Sequence, residues 1–185
     1  LKMKMKRGEM VGSHRCFGYE VDKETRQLKI VEEEATAVRY IFNRYLEGAG
    51  GRVIANELNK KGIFTINNVE WSAPTVLGII KNEKYKGDLL MQKYYVRDFL
   101  TRELERNDGR LTQYYIENNH EAIVERQLWE AAQLEQKRVE AFKKTHQIRE
   151  LGSGSLEPFY GKIFCSQCGG RFVKKRGKSQ WKCIN

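Results

Sequence analysis

The sequence has no long hydrophobic run, few histidines and a shortage of acidic side chains. No apolar stretch approaches the roughly 20 residues that a membrane-spanning helix requires, and no signal-peptide pattern opens the chain. We therefore expect a cytoplasmic protein with no membrane partner. Only 3 histidines occur among the 185 residues, and no cluster of histidines and carboxylates surrounds the cysteines. This disfavours a nuclease or other hydrolase that works through a bound metal.

The shortage of acidic residues leaves a strongly basic chain. Lys and Arg number 34 against 24 for Asp and Glu, which gives a formal net charge of +10. An excess of this size favours a polyanionic partner, because each neutralised phosphate releases condensed counterions. Charge alone also suits a protein that is merely soluble, but its distribution favours the polyanion. Between residues 171 and 182 no acidic residue occurs, and the basic ones are Arg171, Lys174, Lys175, Arg176, Lys178 and Lys182.

The first half of the sequence predicts a hairpin followed by three helices. Residues 1–7 are typical of the last turns of a helix, and residues 8–30 are a glycine-punctuated segment with a short hairpin around Asp22–Thr25. Ser72 and Pro74 suit the N-cap and first turn of a helix. Three short helices with tight glycine-containing connections are the material of a helix-turn-helix unit. Apolar residues at 3- and 4-residue spacing place these helices over 32–47, 52–61 and 72–82.

The second half predicts strands, a long helix and a linker. Residues 85–97 and 111–118 are rich in Tyr, Leu and Val, which is typical of paired strands around a polar connection. A helix is predicted over 125–146, and residues 152–155 have the composition of a flexible linker, natural or engineered. The predicted fold class is therefore α+β.

Three of the four cysteines have the spacing of a zinc ribbon. Cys165 and Cys168 enclose two residues, and Cys183 follows after a 14-residue gap that contains the basic hairpin. Two thiolates at the first spacing can hold two corners of a tetrahedron. A structural zinc normally has four protein ligands. The fourth is expected to be a cysteine just beyond Asn185, lost to truncation, or, as a weaker candidate, His146.

Other roles for the cysteines fit less well. A redox Cys-x-x-Cys usually lies beside a βαβ pattern, which is not found here. A catalytic zinc would need an acid–base partner, and none accompanies these thiols. Cys16 is isolated and is predicted to be a small packing residue.

Several spaced motifs follow one another in the order of a known family. A Pro-Phe-Gly-Tyr motif of that family is matched by Cys16-Phe17-Gly18-Tyr19, with cysteine in place of proline. The next matches are Glu34, Val38, Ile41, Phe42, Tyr45 and Gly48, then Ile54-Ala55-x-x-Leu58-Asn59-x-x-Gly62, Trp71, Val76, Asn82-x-x-Tyr85-x-Gly87, His120-x-x-Ile123-Val124 and the Cys-x-x-Cys. Together they resemble the C-terminal DNA-binding part of the large serine recombinases, the integrases and transposases of phages and mobile elements.

The resemblance implies a helix-turn-helix-like recombinase domain over 1–96 and a mixed α/β zinc-ribbon domain over 97–185. It implies a bacterial or phage-encoded protein whose nucleophilic serine lies on a domain upstream of Leu1, so that this piece would bind DNA without cutting it. Residues 1–7 would be the tail of the connecting helix. The family's coiled-coil arm is not seen, and the ribbon is expected to be truncated at its C-terminus.

The partner implied is double-stranded DNA, an attachment-site half-site, bound in the nucleoid by a protein that is dimeric or tetrameric at full length. The alternative is a zinc-ribbon transcriptional regulator, which would bind DNA without a recombinase parent.

The third predicted helix is the candidate reader of DNA sequence. In a helix-turn-helix the second of the paired helices enters the major groove, and its outward N-terminal residues reach base edges. We predict that Thr75 meets a base, that Gly78 permits a close approach, and that Lys81 and Asn82 lie nearer the backbone. For the glycine-punctuated segment the alternative to DNA contact is a plain linker. For the basic hairpin of the ribbon the alternative is a solvated surface. The full set of predicted DNA contacts is Arg7, Arg15, Arg52, Lys60, Ser72, Thr75, Lys81, Asn82, Arg171, Lys174, Lys175, Arg176 and Lys178.

Overall fold

The computed structural model describes residues 2–9, 15–98, 100–145, 162–174 and 180–184. Within them the helices are α1 (Lys2–Lys6), α2 (Glu32–Leu46), α3 (Gly51–Lys60), α4 (Ala73–Lys81) and α5 (Arg126–Thr145). The strands are β1 (Tyr19–Val21), β2 (Leu28–Ile30), β3 (Leu89–Met91), β4 (Tyr94–Val96), β5 (Leu104–Arg106), β6 (Tyr114–Ile116), β7 (Phe172–Lys174) and β8 (Trp181–Cys183). The strands pair as four two-stranded antiparallel sheets, β1–β2, β3–β6, β4–β5 and β7–β8. The predicted α+β class is confirmed.

The chain forms two compact units, Leu1–Glu135 and Gln136–Asn185. The predicted domains at 1–96 and 97–185 stay a prediction, and the compact units divide at a different place. The reason is that β3, before residue 96, pairs with β6, after it, which keeps both in the first unit. Among the described residues, no helix is both long and apolar enough to cross a bilayer.

The hairpin and the three helices of the first half form as the sequence pattern predicts. The Asp22 carboxylate accepts hydrogen bonds from the backbone N–H groups of Glu24 and Thr25, at 2.8 and 2.9 Å, and closes the turn between β1 and β2. α2 begins directly after β2 with three glutamates in its first turn, where the helix dipole favours negative charge. The buried residues of the three helices are Ala35, Ala37, Val38, Ile41, Phe42, Tyr45, Ile54, Ala55, Leu58, Val76 and Ile80.

The strand prediction over 85–97 is wrong at its beginning and in its continuity. Residues Glu83–Lys86 form a 3₁₀ turn, and Gly87 leaves that turn with a left-handed φ of +90°. Gln92 also has a left-handed φ, +63°, which bends the chain between β3 and β4. β3 pairs with β6 as predicted. β4 instead forms a separate hairpin with β5. The polar sequence of the connection gave no indication of a strand at β5.

Asp88 fastens α5 to the β3–β6 pair. Its carboxylate is fully buried and accepts two hydrogen bonds from the Arg126 guanidinium, at 2.7 and 3.1 Å, and another from the Tyr115 hydroxyl. The Lys86 ammonium lies 3.0 Å away. Burial alone would raise the pKa of the Asp88 carboxyl, but the hydrogen bonds from Arg126 and Tyr115 outweigh it and hold the pKa well below its ordinary value.

Gly18 and Tyr19 lie at the centre of the first unit. A methyl group on Gly18 would come within 2.7 Å of the Ile123 side chain, and the residue has a φ of +86°, so any other residue type would be strained there. The Tyr19 ring is fully buried. Its hydroxyl donates to the carbonyl oxygen of Glu121 at 2.8 Å and accepts from the N–H of Ile123 at 3.1 Å. Burial raises the pKa of Tyr19 well above its ordinary value, so the hydroxyl stays protonated.

Replacing Tyr19 by Phe is expected to destabilise the first unit by about 1–3 kcal/mol, because the N–H of Ile123 and the carbonyl of Glu121 would remain buried without their partner. The free energy of unfolding from urea titration measures this. Tyr94→Phe is the matched control, since that ring is 60% exposed. Equal stability of wild type and Tyr19→Phe would contradict the account of this hydroxyl.

Candidate functional site

α4 presents one face to the core and the other to solvent. Val76 and Ile80 are fully buried and Leu77 is half-buried, whereas Thr75 and Gly78 are exposed. Val76 and Ile80 form the inward side of the helix, and the exposed residues of its first two turns are small. A helix face of this kind can approach a flat or grooved partner closely.

The position of α4 is fixed by α3. The Asn59 side chain of α3 accepts a hydrogen bond from the backbone N–H of Trp71 at 2.7 Å and donates to the Trp71 carbonyl at 3.0 Å. This amide therefore pairs with both backbone polar groups of the residue before the α4 cap. The indole of Trp71 is 4% exposed and packs edge-on against Phe17, with ring centroids 4.9 Å apart. The start of α4 is thus held by a side chain and by an aromatic contact.

α2 and α3 are joined by a charged cluster. The Glu57 carboxylate accepts hydrogen bonds from the Arg44 guanidinium, at 2.7 and 3.0 Å, and from the Tyr40 hydroxyl, at 2.7 Å. The Arg44 contact, aided by Tyr40, lowers the pKa of Glu57 to about 2. The cluster keeps its charge through the physiological range and holds α2 against α3.

Ser72 caps α4, as predicted from the sequence. Its hydroxyl oxygen accepts a hydrogen bond from the Thr75 backbone N–H at 3.4 Å and lies 2.8 Å from the Thr75 hydroxyl. The two hydroxyls therefore engage each other at the exposed start of the helix. This arrangement fixes the rotamer of Thr75.

Gly78 has no packing reason to be glycine. It lies in the middle of α4, and a methyl group placed on it would meet no atom within 4 Å. Glycine inside a helix is unfavourable relative to alanine. Packing within this unit therefore does not explain the glycine at position 78.

The remaining predicted contacts in the first unit differ in how much freedom their side chains have. Arg52, Lys60 and Lys81 are exposed. Asn82 is half-buried, accepts from the Lys84 backbone N–H at 3.3 Å and donates to the Cys16 sulfur at 3.5 Å, so its amide already serves the fold. Arg7, exposed, lies 3.9 Å from the Glu9 carboxylate, and Arg15 forms an ion pair with Glu34.

The predicted contacts in the ribbon are only partly placed. Arg171 is half-buried, and one of its terminal nitrogens is buried without a hydrogen-bond partner among the described residues. Lys174 is the last residue of β7. Lys175, Arg176 and Lys178 lie outside the described residues, as do His146 and the linker at 152–155.

Three cysteines of the second unit come together. The sulfur atoms of Cys165, Cys168 and Cys183 all lie within 4.8 Å of one another, and those of Cys168 and Cys183 are 3.4 Å apart. These separations suit three thiolates around one metal ion, for which tetrahedral Zn–S bonds of about 2.3 Å are typical. The cluster can therefore hold a metal.

The backbone around the cysteines favours metal binding. The N–H of Cys165 donates to the Gly170 carbonyl at 2.7 Å, and Gly169 has a left-handed φ of +66°. β7 and β8 pair so that Phe172 lies opposite Cys183, which brings the third sulfur back to the first two. Backbone N–H groups, that of Cys168 first, lower the pKa of the Cys165 thiol. This favours the thiolate that metals require.

Cys16 takes no part in this cluster. It is buried in the first unit, and its sulfur lies 3.5 Å from the Tyr85 hydroxyl. The prediction of a packing residue agrees with this position.

One surface feature was missed by the sequence reasoning. A groove of about 600 Å³ lies between the C-terminal half of α4 and the β4–β5 hairpin, with Gly78 and Lys81 on one side and Tyr94 and Arg106 on the other. The sequence signal nearest to it is the aromatic pair Tyr94–Tyr95 within the predicted strand, of which Tyr94 lines the groove.

Two solved structures share this fold. A crystal structure of an LSR–DNA complex matches with a TM-score of 0.53 at 21% identity, over 98% of this chain and 51% of that one. A structure solved in work on the sequence requirements of the Listeria innocua prophage attP site matches with a TM-score of 0.51 at 21% identity, over 98% of this chain and 71% of that one. The fold class is therefore that of a large serine recombinase (LSR).

The family itself is shown by sequence. The Recombinase family model matches residues 32–139, more than half of the chain, and the chain belongs to that family. A protein of Bacillus subtilis (strain 168) with the provisional name DNA recombinase is 30% identical over 189 residues, which is 97% of this chain. This chain spans 37% of the length of that relative. The resemblance predicted from the motifs is confirmed.

Replacing Gly78 by Ala is expected to stabilise the chain by roughly 0.5–1 kcal/mol, because alanine is the better helix former and the added methyl meets nothing. Thermal and urea unfolding measure the change. Gly51→Ala is the matched control, since a methyl there would come within 3.2 Å of the Ala73 carbonyl and 3.3 Å of Leu77. A loss of stability in Gly78→Ala would mean that this face of α4 is packed against the chain itself.

Proposed function

We propose that this chain is the DNA-binding part of a serine site-specific recombinase and that it binds one half of an attachment site in double-stranded DNA. Integration and excision of a mobile element would be the activity of the whole protein. The match to the Recombinase family over 32–139 supports this reading over that of a zinc-ribbon transcriptional regulator. Dimers or tetramers of the full-length protein would bring two or four such parts to the DNA.

The observation that carries the proposal is the outward face of α4. Thr75 and Gly78 are exposed on a helix whose support is fixed by Asn59 and Trp71. A rigid helix with small outward residues can enter the major groove, where each base pair presents a distinct pattern of donors, acceptors and methyl groups. The net charge of +10 supplies the attraction to phosphate that precedes reading.

Thr75 is assigned to base reading and Lys81 to the backbone. Because the Thr75 hydroxyl already engages Ser72, its methyl group is the part left for a base, and the methyl group of thymine is an apolar partner of the right kind. Arg52, Lys60, Arg7 and Arg15 are assigned to phosphates on either side. The ribbon residues Arg171, Lys174, Lys175, Arg176 and Lys178 are assigned to the outer part of the half-site.

We further propose that the metal held by Cys165, Cys168 and Cys183 is a structural Zn²⁺. The all-sulfur donor set and the hairpin geometry support zinc over hard cations, which prefer oxygen. The ion would fix β8, which carries Cys183, against the segment of Cys165 and Cys168 and so hold the basic hairpin. The fourth ligand would come from outside the described residues or from solvent.

Replacing Thr75 by Ala is expected to weaken binding to the correct site by about 1–3 kcal/mol and to leave binding to random DNA nearly unchanged. The site is first defined by footprinting on the flanks of the source element, and affinities are measured by fluorescence anisotropy. Thr36→Ala is the control, because the Thr36 hydroxyl bonds within α2, to the Glu32 carbonyl at 2.9 Å. Lys81→Ala should weaken all sequences alike. Equal losses on the correct site and on random DNA for Thr75→Ala would refute α4 as the reader.

Metal removal tests the second assignment. The purified chain should contain about one equivalent of zinc, and Cys165→Ser should lose it, because two thiolates cannot replace a three-cysteine set. Elemental analysis gives the metal content, and backbone NMR of residues 162–184 gives the folding of the ribbon. Cys16→Ala serves as the control and should keep its zinc. An unchanged ribbon spectrum after complete chelation would count against a structural metal.

A further inference from the structure

The groove between α4 and the β4–β5 hairpin has no role in the assignments made so far. It is about 600 Å³ in volume and is bounded by Gly78 and Lys81 of α4 and by Tyr94 and Arg106 of the hairpin. We propose that this groove holds the sugar–phosphate backbone of the DNA strand beside the bases that α4 reads, with Arg106 on a phosphate and Tyr94 against a deoxyribose. The inference rests on the proposed function.

The charges of the groove favour an anion. Lys93 and Glu83, which both line it, are paired at 2.7 Å, and the Glu83 carboxylate also accepts from the Leu90 backbone N–H at 3.1 Å. The carboxylate is thereby neutralised. Arg106 is exposed, and no carboxylate within the described ranges forms an ion pair with it. A guanidinium with its charge uncompensated is the group that most often meets phosphate in a bidentate fashion.

The hairpin is held in place before any ligand arrives. Asn107, 6% exposed, follows β5 directly, and its side-chain amide donates to the carbonyls of Gln92 and Leu111 at 3.0 and 2.7 Å. Its side-chain oxygen accepts from the N–H groups of Gly109 and Leu111, both at 3.1 Å. One buried amide therefore locks both ends of the hairpin to the loop that follows it. Arg106, the neighbour of this amide, is positioned on a fixed strand end.

The exposed face of the hairpin suits the sugar part of the backbone. Tyr94 lies opposite Arg106 in the strand register, and Val96 lies opposite Leu104. Tyr94, Val96 and Leu104 are 60, 41 and 71% exposed. An aromatic ring and aliphatic side chains next to a guanidinium match a strand in which apolar sugar faces alternate with charged phosphates.

The same features argue against other occupants. Small-molecule pockets are mostly apolar and enclose their ligand, whereas most side chains around this groove are polar or charged. Its α4 side consists of Gly78 and Lys81, and at Gly78 the space beside the helix is open. A phosphate backbone that follows α4 along the major groove would pass along this side. Half or more of the hydrogen bonds in protein–DNA complexes go to the backbone, so such a contact is expected beside a reading helix.

The test replaces Arg106 by Ala and measures the affinity for duplex DNA at several salt concentrations. The slope of log K against log salt should fall in magnitude by about one, as expected for the loss of one phosphate contact. The affinity for the correct site and for random DNA should both fall about tenfold, because a charge-assisted hydrogen bond is removed from each complex. Tyr94→Ala should weaken binding without changing the slope, and Tyr94→Phe should restore it.

Arg97→Ala is the matched control. It removes the same charge from the same hairpin, but Arg97 lies outside the groove and pairs with Glu103 at 3.4 Å. Its salt slope should equal that of the wild type, and thermal unfolding should show all variants folded. If Arg106→Ala keeps the wild-type slope while wild type still prefers its site, the groove assignment is overturned and the proposed function stands. If the wild-type chain binds no duplex DNA, both fall.

Discussion

The hydroxyl group of Tyr19 lies where distant segments of the chain meet, and the first unit is built around its hydrogen bonds. It joins the N-terminal hairpin to residues 121–123, more than a hundred positions later. Gly18 supplies the space that lets Ile123 approach the backbone. Tyr85 adds a second such bond, donating to the Phe17 carbonyl at 2.9 Å. The described strands of this unit are short and pair only two by two. The hydrogen bonds of two buried tyrosine hydroxyls therefore link segments that a larger sheet would otherwise connect.

A series of side-chain contacts connects Gly18 and Tyr19 to the helices and ends at the exposed face of α4. Phe17, next to Gly18, packs against Trp71, and Trp71 is pinned by Asn59 to α3. The orientation of α4 is therefore set by contacts on its buried side, from residues that point away from solvent. This order of support explains how a nine-residue helix can present Thr75 and Gly78 in a fixed geometry. A site held in this way needs little rearrangement on binding, which saves ordering entropy.

The sequence was most informative where local rules and burial agree. Periodic apolar residues placed α2, α3 and α4, and Ser72 marked the start of α4, because an N-cap is a local interaction. Cysteine spacing likewise predicted that Cys165, Cys168 and Cys183 come together. The pairing of β4 with β5 could not be foreseen, since β5 is short and largely charged, and the direction of β4 depends on Gln92 taking a left-handed conformation. Asn82 shows the other kind of limit: its type suits DNA contact, yet its amide is used by Lys84, two residues later, and by Cys16, which only the folded chain brings near.

The division of α4 into an inward and an outward face has a consequence for how such proteins diversify. Val76 and Ile80 are packed in the core, so substitutions there destabilise the folded chain. Thr75 and Gly78 are exposed, and the Thr75 side chain engages Ser72 at the helix start, so substitutions there leave the core intact. Under the proposed function, the DNA sequence that α4 prefers can therefore change while the architecture persists. A new target sequence would require a few changed exposed side chains and no new fold.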